Sequence, residues 1–146
     1  MTAALALVLA AAAAQTPPQV SADPATCNAA RARRVEFHVV LADPEAWFGR
    51  CISVRGLWAG RAFFARTTDA RRRYAESRED SRDRRIGIYA SDELARMRRA
   101  PPRSYRAVGM LLDCSWLCEG QVFVSGYCHN HGTGPILAVT EMRPAR

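Results

Sequence analysis

Residues 51–58 read CISVRGLW, and this stretch indicates the fold more clearly than any other part of the chain. Its second and fourth positions are apolar and alternate with Ser53 and Arg55. A period of two places the apolar side chains on one face and the polar ones on the other, as in a β-strand that is buried on one side. Gly56 inside the run predicts a bulge or a sharp bend. We therefore predict an amphipathic β-strand here.

The chain beyond this strand alternates short apolar runs with turns. A turn at residues 59–61 precedes a second predicted strand at 62–67. Ser91 caps a predicted helix that ends near Arg99, because acidic residues open it and arginines close it. The remaining strands are predicted at residues 86–89, 105–112, 121–128 and 135–142. This order predicts a mainly β fold, a small OB-like β-barrel of five to six antiparallel strands with one helix between strands three and four. An open β-sandwich is the alternative.

Two local patterns precede the first strand. Residues 28–41 begin with helix formers and end with β-branched residues, so they predict a helix that leads into a short strand. Residues 43–49, DPEAWFG, predict one helical turn, with Asp43 as its cap, proline at its first position and Gly49 at its end. Residues 69–85 are dense in charges of both signs, which is typical of an exposed loop.

A family resemblance agrees with this fold. The stretch at residues 43–56, DPEAWFGRCISVRG, is similar to the entry of bacterial exported OB-fold-like domains of the oligonucleotide- and oligosaccharide-binding type. Residues 134–139, GPILAV, resemble the closing strand of the same pattern, so the resemblance covers roughly residues 43–143. The chain departs from a minimal OB domain in its cysteine loop and in the strand at 121–128. The resemblance implies binding of an oligonucleotide, an oligosaccharide, a small ligand or a protein, and the fold alone does not choose among them.

The N-terminus has the features of an export signal. Residues 3–14 are an almost unbroken run of Ala, Leu and Val, too short to span a bilayer and typical of a signal h-region. Three alanines before Gln15 provide a cleavage site. We predict a signal peptide at 1–14, a Pro-rich linker at 15–26 and one domain at 27–146, periplasmic or secreted, with no transmembrane span in the mature chain. No basic residue precedes the run, so an uncleaved apolar helix is the alternative.

The cysteines predict a disulfide-stapled domain. An exported chain meets oxidising conditions, and five cysteines permit at most two internal bridges with one thiol left over. The candidates are Cys27, Cys51, Cys114, Cys118 and Cys128. Their pairing stays open, although at least one bridge is expected within residues 114–128. A zinc site that also uses His129 and His131 is a weaker alternative, because the spacing matches no standard finger. No cofactor is predicted.

The charge of the chain favours anionic partners. The formal net charge is +7, and all 21 basic residues are arginines, a composition that a coding bias towards Arg also explains. Aromatic side chains beside a turn or in the cysteine loop provide stacking surfaces for bases or sugars. The ligand-binding candidates are therefore Trp58, Arg61, Arg66 and Trp116, with packing in the core as the alternative for the two tryptophans.

The resulting hypothesis is an exported ligand- or protein-binding module without enzymatic activity, whose partner is an anionic polymer or an envelope protein. Phosphate-binding loops and nucleophile motifs do not occur in the sequence. One alternative is a small envelope hydrolase or metal-binding protein that uses His129 and His131. Another is a disulfide-stapled structural or inhibitory protein whose cysteine loop recognises the partner.

Overall fold

The computed structural model describes residues 23–72, 84–96, 103–115, 127–128 and 134–145. The predicted signal peptide, most of the linker, and Trp116, Cys118, His129 and His131 lie outside these residues, as does the predicted strand at 121–128 up to residue 126. None of the described helices is long and apolar enough to cross a membrane.

The described residues include six strands and three short α-helices with both ends defined, and residues 114–115 and 127–128 are also helical. The strands are β1 (Arg33–Arg34), β2 (Cys51–Ala59), β3 (Ala62–Phe64), β4 (Arg85–Tyr89), β5 (Arg103–Asp113) and β6 (Pro135–Pro144). The helices are α1 (Phe37–Ala42), α2 (Thr67–Arg72) and α3 (Asp92–Arg96), with 3-10 turns at Pro24–Thr26 and Glu45–Trp47.

Five of the strands close into a β-barrel. Around the ring, β2 pairs with β3, β3 with β4, β4 with β6, β6 with β5, and β5 again with β2. Four of these five strand pairs are antiparallel, as predicted. The prediction is wrong for the fifth pair, because β4 and β6 run parallel to each other. The short strand β1 adds to the outer edge of β2, also in parallel. Helix α3 lies between the third and fourth barrel strands, as predicted, and α1 falls within residues 28–41, for which a helix was also predicted. Helix α2, between β3 and β4, was not predicted.

The barrel strands have an inner and an outer apolar face. Alternate residues of each strand fill the interior, among them Ile52, Val54 and Leu111, which are fully buried. The outer face is also covered over part of its length, where a second core includes Val108, Met110, Ile136 and both disulfides. The N-terminal segment from Cys27 therefore packs against the outside of the barrel.

The two disulfides join Cys27 to Cys51 and Cys114 to Cys128. They confirm the prediction of a stapled domain and resolve the pairing among four of the five cysteines. The first bridge connects the N-terminal segment to the start of β2. The second lies within residues 114–128, as expected from the clustering of cysteines there.

The predicted local signals hold at several turns. The Asp43 carboxylate accepts a hydrogen bond from the backbone N–H of Ala46 at 3.3 Å, and Ser91 Oγ accepts one from Leu94 N at 3.3 Å. Gly60, with φ 62°, forms the tight turn between β2 and β3. In contrast, the order predicted within residues 28–41 is reversed, because β1 comes first and α1 follows.

Glycines allow close packing at two points of the barrel. Gly56 does not form a bulge, since β2 is continuous there. A Cβ at this position would lie 3.1–3.2 Å from Phe63 and Phe37, so glycine lets these rings approach the strand. The bulge instead lies between β5 and β6, after Val108, where a Cβ on Gly109 would overlap the carbonyl of Ala138.

Candidate functional site

Three arginines lie side by side on the outer face of the barrel. Arg55 of β2 is the direct partner of Arg106 of β5, and Arg106 is the direct partner of Arg143 of β6. Residues that are directly opposite in an antiparallel pair project to the same side of the sheet. The three arginines therefore occupy a line of positions that crosses the strands.

Arg34 extends this line onto the edge strand β1. It pairs in parallel with Ser53, which lies two residues before Arg55 and so on the same face of β2. Arg34 is thus diagonal to Arg55, and its charge acts on Arg106 together with those of Arg55 and Arg143. We call these four residues, Arg34, Arg55, Arg106 and Arg143, the arginine row.

The arginine row has a strongly positive local field. Burial first, and then the positive charges of Arg34, Arg143 and Arg55, lower the pKa of the Arg106 guanidinium below its ordinary value. Glu36 is the one carboxylate that opposes this shift. A lowered pKa means that the protonated form of Arg106 is destabilised by its surroundings, and an anion bound beside it would reverse that effect.

No carboxylate pairs with the row among the described residues. The one ion pair between two described residues joins Arg84 to Asp69 at 3.9 Å, away from the row. Arg55 Nε donates a hydrogen bond to Ser104 Oγ at 3.0 Å, a neutral acceptor. Like charges directly opposite each other destabilise a sheet. Among the described residues, Glu36 offsets part of the repulsion between the four arginines. The remaining repulsion costs stability, and an anionic ligand would compensate that cost.

The N-terminal segment borders the row on one side. The backbone N–H of Ala29 donates to Glu141 Oε1 at 2.8 Å, and Thr140 Oγ1 donates to the carbonyl of Cys27 at 2.7 Å. With the Cys27–Cys51 disulfide, these bonds fix the segment across β6 and β2. They hold β1, and with it Arg34, next to Arg55.

Three of the four ligand-binding candidates from the sequence, Trp58, Arg61 and Arg66, are described, and none of them lies in the row. Trp58 is 3% exposed, packs edge-on against Phe63 and Tyr105, and donates from Nε1 to the Gly60 carbonyl at 3.1 Å. Its indole is part of the barrel core and does not present a stacking face. Arg61 is exposed in the β2–β3 turn, and Trp116 is outside the described residues.

Arg66 lies at a different concave surface. It lines an open cleft of about 570 Å³ between α1 and α2, together with Phe37, Leu41 and the Asp69–Arg84 pair. His38 also lines this cleft and is exposed. The charges here are mixed, so the cleft lacks the uniform positive field of the arginine row.

The predicted metal and catalytic alternative has no counterpart in the part of the chain that the structure covers. Among those residues, no group of three or more His, Cys, Asp and Glu side chains could hold a metal ion. His129 and His131, on which the alternative depends, are outside that part. Cys114 and Cys128 are joined in a disulfide and are therefore not thiolate ligands.

The arginine row was missed at the sequence level because its members are far apart in the chain. Each of Arg55, Arg106 and Arg143 occupies an outward position of an alternating strand, which is the normal place for a charged residue. Their adjacency depends on the register between strands, which single-strand periodicity does not specify. The sequence does contain one sign of the row: each of these three strands has an arginine at an outward-facing position of its alternation.

Comparison of the chain with protein-family models, with curated proteins and with solved structures found no match.

Proposed function

We propose that this protein is an exported binding module that holds an anionic ligand on the arginine row. The observation that carries the proposal is the juxtaposition of Arg34, Arg55, Arg106 and Arg143 on neighbouring strands without a paired carboxylate among the described residues. The proposal assigns no chemistry to the row, because arginine remains protonated and does not act as a general base.

The physical basis is charge neutralisation by a fork-shaped donor. A guanidinium group presents N–H donors that match the oxygens of a phosphate, sulfate or carboxylate in a bidentate pair. An anion that lies between two adjacent arginines gains two such contacts and also removes their mutual repulsion. Arg55, Arg106 and Arg143 extend from barrel strands, so little backbone ordering is needed on binding, although their side chains still lose rotamer freedom.

We also propose that the barrel is of the OB type. Support comes from its five strands in a closed ring, the non-sequential pairing of β4 with β6, and helix α3 between the third and fourth barrel strands. The arginine row lies on the first, fourth and fifth barrel strands (β2, β5 and β6) and on β1. Fold type alone does not specify a ligand, so the functional proposal depends on the row.

Export is the third element of the proposal. The apolar run at residues 3–14 supports cleavage before Gln15, and the two disulfides suit an oxidising compartment. Mass spectrometry of the protein from the periplasm or medium should give a mature chain that starts near Gln15 with two intact disulfides. A chain that keeps Met1 and has five free thiols would contradict export.

The binding proposal is tested with two variants of equal charge. In the row variant, Arg34, Arg55, Arg106 and Arg143 are replaced by Gln. In the control variant, four exposed arginines elsewhere are replaced by Gln: Arg61, Arg66, Arg71 and Arg96. Both variants lose four positive charges, so a difference between them reports position and not net charge.

Binding of long-chain inorganic polyphosphate to both variants is measured by calorimetry at low ionic strength. We expect the row variant to lose at least about 100-fold in affinity, because four direct charge contacts disappear together. The control variant should lose only the weak, long-range electrostatic contribution, so its affinity should fall by about threefold or less. Equal losses would show that net charge alone attracts the ligand, and a larger loss in the control would move the site to the surface that includes Arg61 and Arg66.

A further inference from the structure

The shape of the arginine row indicates the form of its ligand. Adjacent strands are about 4.8 Å apart, so three steps from β6 through β5 and β2 to β1 span about 14 Å. The first three arginines are in direct register, and Arg34 is one diagonal step beyond them. Resting on the proposed function, we propose that the ligand is a linear polyanion that lies along the row, across the strands, with successive anionic groups on successive arginines.

The row is one residue wide. On one side its neighbours along the strands are Ser53, Val108 and Glu141, which form the adjacent cross-strand line. On the other side they are Leu57, Ser104 and, just after the end of β6, Ala145, whose N–H donates to the Ser104 carbonyl at 2.9 Å. Neither flank of β2, β5 or β6 carries a second cation, and Glu141 would repel an anion placed beside the row. A chain with one line of charges fits this arrangement.

A bilayer surface fits the row less well. A membrane presents anionic headgroups over a plane, and they would also meet the carboxylates of Glu36 and Glu141. Peripheral binding usually adds apolar side chains that insert between the lipids. The large hydrophobic residues that are exposed in the described part of the chain are Val39 and Tyr89, and neither is in the row or on its flanks.

Single-stranded nucleic acid also fits less well. Such strands are held by a basic groove together with aromatic rings on which the bases stack. The positions that flank the row on β2, β5 and β6 contain no aromatic residue. A polymer recognised through its charged groups alone, such as a polyphosphate or a polyuronate, needs no stacking platform.

A linear ligand predicts a specific dependence on chain length. Once the first anionic group is bound, each following group meets the next arginine at high effective concentration, so affinity rises steeply until the row is covered. Beyond that length, affinity rises only because a longer ligand offers more positions at which it can be placed on the row. A single-ion site would show no such rise beyond one or two groups.

The experiment uses oligophosphates of defined length, from phosphate and pyrophosphate to tetraphosphate and long chains, and a parallel series of oligogalacturonides. We expect affinity to rise about 100-fold from the shortest to the four-group members. Beyond four groups, the affinity should change by less than about threefold once it is divided by the number of positions along the ligand at which binding can start. The Arg143→Gln variant, which removes one end of the row, should shift the plateau to a shorter chain. Arg61→Gln, which alters the β2–β3 turn, should leave the length profile unchanged.

The outcomes separate this inference from the proposed function. Length dependence in either series supports a linear ligand, and the stronger series identifies phosphate or carboxylate as the group. If short and long anions bind equally and the row variant abolishes both, the linear ligand is refuted while anion binding stands. If no anion depends on the row, both fail. Tighter row-dependent binding to vesicles of equal phosphatidylglycerol and phosphatidylcholine, or to an oligo-dT strand, would refute the polyphosphate or polyuronate class.

Discussion

Replacement of Arg106 by Gln should stabilise the free protein while it weakens ligand binding. Arg106 occupies the centre of the row, directly opposite Arg55 on one strand and Arg143 on the other. Glutamine keeps part of the aliphatic stem, so the packing of the stem against the sheet is largely retained. The substitution therefore removes mainly the repulsion between like charges.

The size of the effect follows from the number of repulsive pairs. Arg106 takes part in two direct like-charge pairs. We take each repulsion as equal in size to a favourable cross-strand charge pair, roughly 0.2–1 kcal/mol, so removal of both should raise the free energy of unfolding by about 1 kcal/mol at low salt. For a domain of this size that gain corresponds to about 4 °C in Tm. Arg143→Gln removes one direct pair and should give about half the gain.

Salt dependence is the signature that identifies the cause. Unfolding is followed by circular dichroism in a zwitterionic buffer, at about 10 mM and about 1 M sodium chloride, where the Debye lengths are about 30 Å and 3 Å. The gain of Arg106→Gln over the parent protein should be present at low salt and disappear at high salt, and Arg61→Gln should change nothing at either. A loss of more than about 1 kcal/mol at low salt, or a gain independent of salt, would refute the assigned repulsion.

Three further changes test other parts of the structure. The Cys27→Ser/Cys51→Ser variant removes a disulfide that joins residues 24 positions apart, and it should lose about 3 kcal/mol of unfolding free energy in chemical denaturation. Reduction of the parent protein should give the same loss if the disulfide is responsible. Gly109→Ala should cost about 2 kcal/mol because its Cβ would meet the carbonyl of Ala138 at the bulge, and a neutral result would show that the β5–β6 register is wrong. Glu36→Gln should raise oligophosphate affinity about two- to fivefold in calorimetry, because it removes a carboxylate that offsets the positive charge around Arg106. Unchanged affinity would show that Glu36 does not act on the bound ligand.

Local signals were sufficient for much of the barrel. The strand at residues 51–58, the turn at Gly60 and the caps at Asp43 and Ser91 depend on neighbours in sequence, and all were predicted. The error at residues 28–41 has a tertiary cause. There, Val35 N donates to the Ser53 carbonyl at 3.1 Å, which draws β1 onto β2 ahead of the helix. Intrinsic helix propensity is weak compared with such pairing.

Long-range features escaped prediction because they depend on register and closure. The parallel contact of β4 with β6 follows from the way the ring closes, which no single segment encodes. The surroundings of the Trp58 side chain also depend on how the strands pack in the barrel. Its place near a turn suggested exposure, but its position in β2 points into the barrel, where Tyr105 and Phe63 enclose it. The alternation within β2 already placed it with Ile52 and Val54 on the inward face.

The arginine row should bind its anionic ligand through several direct charge contacts. This is measured as the affinity for long-chain polyphosphate as a function of sodium chloride concentration, for the parent protein and for single Gln variants of the row. Each direct contact contributes about 0.7–0.9 to the slope of log affinity against log salt, so four contacts predict a slope of about −3. Each substitution at Arg55, Arg106 or Arg143 should make the slope shallower by about 1. A slope near zero in the parent protein, or slopes that the row variants leave unchanged, would contradict the account.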